Sequence, residues 1–251
     1  RLHDALKEGS RGSSLRSSRL GKGLVITQVA LALVIVAGAG LLMNSMWRIQ
    51  DIDLGLTDVD RLLTFQLALP EAKYERDEQV LAFFDALSQD LGSVPGVEAV
   101  GFVNRLPLLG GWNTRVSVWG DPEREANFVS YRPVTEHYFE ALGMRLLAGR
   151  WLDATEFAEG AESVLINETL ASRLFTDRDP IGQRISEWVE GGLLVVGVVR
   201  DVKGGGPTRP APPAFYFPFR TFGGERSAAA IIKTGGDPEA LIPNIRLAVE
   251  R

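Results

Sequence analysis

The chain has no cysteine. That removes disulfides, thiol nucleophiles and thiolate metal sites together, and it leaves the compartment open. Histidine is nearly missing too. His3 lies in the N-terminal arm, and His137 stands alone in Thr135-Glu-His-Tyr-Phe139 at the start of a short helix, where it reads as a surface or capping residue. No G-x-x-x-x-G-K-[ST] run exists, so no P-loop for ATP is expected, and H-E-x-x-H and G-x-S-x-G are also missing. Asp51-Ile-Asp53-Leu-Gly55 fails as a calcium loop. Its Gly is one place early and Leu62 stands where the twelfth-position Glu belongs, so these acids read as a solvated membrane-exit linker. Asn167-Glu-Thr169 is a glycosylation pattern short enough to arise by chance. Carboxylates are plentiful, but no spacing gives two of them a shared site. No catalytic residue, cofactor ligand or metal ligand is therefore named, and the chain reads as a non-enzyme.

Positive charge is scarce over most of the chain. Six of the 27 Lys and Arg and two of the 32 Asp and Glu precede Trp47, so residues 48–251 carry a net charge of −9. That disfavours a nucleic-acid surface and extensive docking on anionic headgroups.

What is present is one long apolar run. Leu24 to Trp47 holds 24 residues without a charge. As a helix it is roughly 36 Å long, enough to cross a hydrocarbon core about 30 Å thick. Arg1, Lys7, Arg11, Arg16, Arg19 and Lys22 precede it, and Asp51, Asp53, Asp58 and Asp60 follow it. Basic flanks stay cytoplasmic, so 1–22 reads as a cytoplasmic linker, 23–47 as a transmembrane helix and 48–251 as extracytoplasmic. Trp47 sits at an interfacial anchor position. Ala30/Ala37 and Ala32/Ala39, with Gly38 and Gly40, form a small-residue stripe on which another helix could pack. Ala37-Gly38-Ala39 would suit signal cleavage, but the apolar run continues through Leu41, Leu42 and Met43. The first residue is not Met, and the last six, from Arg246 to Arg251, read as an unfinished helix, so a piece of a longer protein is expected.

Beyond the anchor, alternation predicts a strand over Leu62–Leu69, ended by Pro70. Val80, Leu81, Phe84, Leu87 and Leu91 predict an amphipathic helix over Asp77–Leu91, with Gly92 as C-cap. Pro95-Gly96 predicts a turn into a strand at Val97–Val103, completing a βαβ unit. The middle suggests short strands at Arg115–Trp119, Phe128–Val134, Val164–Ile166 and Leu193–Val199, and short helices at Glu136–Leu142 and Glu168–Phe175. Gly204 to Pro213 reads as a flexible boundary. Ala228–Lys233 predicts a further strand. Asp237 and Pro238 open a last helix in which Pro243 sits awkwardly. The expected fold is α+β. A split βαβ part (57–104 and 214–251) flanks an inserted mixed part (105–213), with Val80, Phe84, Leu87 and Leu91 packed on the strand of Phe65 and Leu67. That sheet should also receive Ala228–Lys233.

Several motifs are familiar together. Leu24–Met46, with its core from Thr27 to Val34, resembles the first helix of an FtsX-like permease unit. Ser93-Val-Pro-Gly-Val-Glu-Ala-Val100 and Arg105-Leu-Pro-Leu-Leu-Gly110 resemble the MacB-like periplasmic core domain. In the same order come Tyr138 to Arg150, Val164 to Ala171, Asp179 to Ile185 and Val196 to Val202. Ala5 to Gly12 resembles the linker inside duplicated permeases of this kind. The resemblance spans about 20–251 and implies a non-catalytic part of an ABC-type export permease. Its ATPase would be a separate subunit, and a second permease half or a homodimer would be its partner. It also implies the bacterial inner membrane and names the two periplasmic parts porter-like and Sabre-like. Pro95-Gly96, Gly149 and Gly182 then read as turn residues. A single-span receptor or binding module is the alternative. The permease reading requires a stiff path from Trp47–Asp60 into the strand at Leu62, with Leu54-Gly55-Leu56 as its one hinge-capable stretch.

Overall fold

The computed structural model describes residues 5–50, 53–110, 112–185, 189–204 and 209–250, with backbone alone for 5–21, 48–50 and 108. Residues 1–4 of the arm, Asp51 of the linker and 205–208 of the glycine-rich boundary lie outside the described residues. The chain comprises two compact units, Arg1–Ile52 and Asp53–Arg251.

The first unit is one helix, α1 (Ala5–Gln50). Its apolar stretch, Lys22–Trp47, has a mean hydropathy of 2.4 and none of its apolar window buried, so it is long and apolar enough to cross a membrane. The helix extends back through the polar arm, where the sequence suggests only a connector. Helix propagation adds a hydrogen bond for each residue fixed, and no proline interrupts it.

The second unit contains, in chain order, β1 (Leu62–Ala68), α2 (Asp77–Gly92), β2 (Val97–Val103), β3 (Asn113–Val118), β4 (Asp121–Val134), α3 (Tyr138–Ala141), β5 (Leu146–Gly149), α4 (Ala154–Glu159), β6 (Ser163–Asn167), α5 (Glu168–Leu174), β7 (Arg184–Ile185), β8 (Leu193–Val199), β9 (Ala214–Pro218), β10 (Ser227–Thr234) and α6 (Ile242–Val249). Among the described residues these strands form one ten-stranded sheet, ordered β1-β10-β2-β4-β3-β7-β8-β6-β9, with β5 on β8. β9 also pairs parallel to β4, so the strands from β4 to β9 close into a ring.

β10 lies antiparallel between β1 and β2, pairing Phe65 with Ala230 and Phe102 with Ala230. β1 and β2, the first two strands in sequence, are therefore split by one that arrives more than 120 residues later. Composition explains the central place. Ala228, Ala230 and Ile232 face one core while Ala229 and Ile231 face another, so both faces are buried and neither can be polar. On the first face Val80, Phe84, Leu87 and Leu91 of α2 pack with Ile245 and Ala248 of α6. Phe65 and Leu67 of β1 border this cluster. On the second face Tyr138, Phe139 and Leu142 join Val199 and Tyr216. A third core fills the ring beneath α5, with Ile166, Leu170, Val195 and Phe215. Val103 pairs with Val134 where the three-stranded end meets the ring, and Thr135 just after β4 both donates its N–H to Phe102 O and accepts the Phe102 N–H through Oγ1.

Several local expectations are corrected. Gly92 is the last residue of α2 rather than its cap; Ser93 caps it in a helical conformation, donating its N–H to Gln89 O. Gly96 then takes the left-handed position in the turn. The last helix begins at Ile242, after a 3-10 turn at Glu239–Leu241. Pro243 thus stands in the first turn of α6, where its missing N–H is not needed. Gly149 belongs to β5, opposite Gly197 of β8, rather than to a turn. β4 begins at Asp121 and carries a register shift near Phe128, a residue with φ 57° that is 78% exposed. β5, α4, β7 and β9 have no counterpart in the sequence reading.

Candidate functional site

The segment Asp53–Arg61 leads into β1, and it is stitched to the domain at almost every residue. Gly55 N–H donates to Asp53 Oδ1 at 2.8 Å, and Arg200 donates to Asp53 Oδ2 at 2.8 Å. The first bond, then the Arg200 charge, holds the Asp53 carboxyl below the usual range. Asp53 is solvated, as its reading as a membrane-exit linker expects, and it is also anchored to Arg200. Lys203 N–H donates to Leu54 O at 3.0 Å. Leu56 packs against the core around Tyr138. Thr57 N–H reaches Leu142 O at 3.3 Å. Asp58, left-handed with φ 52°, lies 3.5 Å from Lys233 Nζ, and Arg61 O accepts from Thr234 Oγ1.

Two glycines make this closeness possible. Gly55 has φ +78°, and a Cβ there would stand 2.0 Å from Asp201 O. Gly143 has φ +60°, and a Cβ there would stand 1.7 Å from Thr57 Oγ1. A side chain at either place would require left-handed backbone and would push the strap off its seat. Gly55, which sequence suggests as a hinge, is instead a contact point.

From Arg200 the polar network continues inward. Asp201 accepts from Thr169 N–H at 3.0 Å and from Thr169 Oγ1 at 2.7 Å, while its own N–H donates to Glu168 Oε2. Asn167, 1% exposed, caps α5 by accepting from Leu170 N–H, accepts also from Ala214 N–H, and donates to Pro212 O. Its side chain is used up and buried, so in the folded domain it cannot carry a glycan. The segments Val164–Ala171 and Val196–Val202, separate in sequence, thus meet beside the lead-in strap. Sequence reasoning noted both but missed Asn167 and Asp201 as joints. The available signal was a short polar residue ending each apolar strand.

The segment Arg105–Gly110 is held in a similar way. Arg132 of β4, 2% exposed, donates to Arg105 O at 2.6 Å and to Gly110 O at 3.3 Å. His137 is exposed and pairs through Nδ1 with Glu140 at 3.1 Å, not with the backbone of α3. Among the described residues no group of three or more His, Asp or Glu could hold a metal ion.

A family model described as the MacB-like periplasmic core domain matches residues 23–247. The chain belongs to that family. Over 67 residues, 27% of the chain, it is 36% identical to the "Macrolide export ATP-binding/permease protein MacB" of Neisseria gonorrhoeae, and equally to that of Neisseria meningitidis serogroup A. The matched stretch spans 10% of the length of those curated relatives. Among solved structures, the periplasmic region of MacB from Actinobacillus actinomycetemcomitans superposes with a TM-score of 0.55 at 14% identity, covering 78% of this chain and 85% of that one. That likeness concerns the fold: a mixed α/β MacB-like periplasmic domain behind one apolar helix. In this member of the MacB-like family the strap, Asn167 and Asp201 form one connected network from the first residue of the domain to the inside of the ring.

Proposed function

We propose that this chain is the non-catalytic extracytoplasmic portion, with its first membrane helix, of a MacB/FtsX-like ABC-type export permease in a bacterial inner membrane. In this reading 1–22 is cytoplasmic, 23–47 spans and 48–251 is periplasmic. Residues 57–104 and 214–251 form the porter-like part, and 105–213 the inserted Sabre-like part. A separate ATPase subunit supplies the energy, and a second permease half or a second copy completes the membrane unit. ATP-driven movement enters the domain and acts on substrate or partners outside the membrane.

Family membership and the charge asymmetry around the apolar helix support the setting. One observation carries the mechanical role: the strap Asp53–Thr57 is pinned to Arg200, Lys203 and Leu142 rather than left as a free tether. Force is transmitted only through a stiff joint, and a seated strap displaces the β8 exit and β10 together.

An eight-residue Gly/Ser insertion after Ile52 tests this in the intact transporter. A flexible surface loop adds little entropic cost, so the domain should stay folded, with an unchanged urea midpoint. Export should fall to background. Unchanged export would favour the single-span receptor or binding module. An extracytoplasmic reporter fused after Arg251 should be active, and activity from a cytoplasmic reporter alone would overturn the orientation.

A further inference from the structure

Away from the strap, the ring presents a cleft of about 480 Å³ between β3, β4, β9 and the connection leading to β10. That volume lies within the range of small-molecule sites. Four aromatic rings line it. Phe217 and Tyr131 form the floor, stacked at 6.5 Å with 24° between planes. Phe222 stands edge-on to Phe217 at 5.2 Å, and Trp112 lies at the rim. Trp112 is 60% and Phe222 48% exposed.

The lining includes one charged side chain, Glu225. It is half-buried, and burial pushes its carboxyl above the ordinary range, against a hydrogen bond from Asn104. Burial, then the Glu225 charge, pushes the Tyr131 hydroxyl up as well. Among the described residues no Lys or Arg pairs with Glu225, whereas Arg226 beside it turns away to Tyr74 O and Glu75 O. A half-buried carboxylate without a cation carries an unmet desolvation cost. Aromatic faces attract cations on their own account, most strongly those with an apolar shell.

From the Glu225 carboxylate set among Trp112, Tyr131, Phe217 and Phe222, we infer that this cleft binds a small organic cation, a substituted ammonium whose methyl or ring groups contact the aromatics. The inference does not depend on the transport reading, because binding and export are measured separately.

The probe is benzyltrimethylammonium, titrated calorimetrically against the full chain in zwitterionic lipid nanodiscs. Its uncharged carbon isostere, neopentylbenzene, is run in parallel. Saturable binding in the millimolar range or tighter is expected, with the isostere at least tenfold weaker. Glu225→Gln should weaken the cation about tenfold and leave the isostere unchanged. Trp112→Leu, at an exposed rim position, should weaken both. Unchanged urea midpoints in both variants establish that the domain is intact. A variant that unfolds is replaced by Glu225→Asp, which keeps the charge but draws it back, and should weaken the cation severalfold. No saturable binding, equal binding of cation and isostere, or undiminished binding to a folded Glu225→Gln chain would each overturn the proposal.

Discussion

Replacing Gly55 by Ala should unseat the strap, and the cost can be worked from its geometry. The residue has φ +78°, and left-handed backbone costs an L-residue about 1–2 kcal/mol. Gly120 has φ +76° with nothing within 4 Å of an added Cβ, so Gly120→Ala should cost that amount and no more. At Gly55 the new Cβ would also lie 2.0 Å from Asp201 O, a backbone atom that cannot swing aside. Relief requires the strap to lift by more than an ångström. That breaks the Lys203–Leu54 backbone bond, worth about 1 kcal/mol, and separates Asp53 from Arg200. Gly55→Ala should therefore cost about 2–3 kcal/mol. With a urea m-value of about 2–3 kcal/mol/M, the midpoint should drop by about 1 M, against roughly half that for Gly120→Ala. Hydrogen exchange separates the two further: the Thr57 and Lys203 amides should exchange faster in Gly55→Ala alone. Equal midpoints for the two variants, with both amides still protected, would refute the strap as a close-packed joint.

Glu156 provides a pH test. Its carboxyl sits at about 2, chiefly through the Arg150 hydrogen bonds at 2.7 and 2.9 Å, with Ser163 and the Asp153 N–H adding to the effect. Since folding depresses this value, the stabilisation is complete at neutral pH and is lost as pH falls from about 4.5 to about 2. Glu156→Gln should cost about 1 kcal/mol at pH 7 and progressively less as pH falls towards 2, seen as converging urea midpoints. Phe84, 2% exposed, meets Phe102 and Phe219 at 5.2 Å each. Phe84→Ala should cost about 3–5 kcal/mol and Phe84→Leu less than half of that, read from the same unfolding curves.

The elements legible in sequence are those whose pattern is local. α2 repeats its apolar stripe over several turns, β2 is apolar apart from Glu98 and follows a Pro-Gly turn, and β8 is a continuous apolar run, so their positions need no partner to be seen. The short pieces resist such reading. β7 is two residues long and β9 is a five-residue apolar run next to a proline-rich stretch, so periodicity has nothing to count. β5 exists because Gly149 and Gly197 let two backbones approach. Phe128 sits where a strand pattern predicts regular alternation, and only pairing with β3 produces the register shift that turns it outward.

By itself the sequence determined the membrane-spanning capacity of α1, the polarity of its flanks and the apolar character of β10. Each follows from composition along a continuous stretch. Tertiary structure alone decided that β10 divides β1 from β2, that Asn167 and Asp201 meet beside Arg200, and that Gly55 is a seat rather than a hinge. It also decided that Glu225 lines the same cleft as Tyr131, Phe217 and Phe222. The reason is the same in every case. These contacts join residues tens to more than a hundred positions apart, and a hydrogen bond or packed ring across such a distance leaves no periodic trace in either segment. Only the closing of the ring β4-β3-β7-β8-β6-β9, with the late return of β10 to the outer sheet, brings them together.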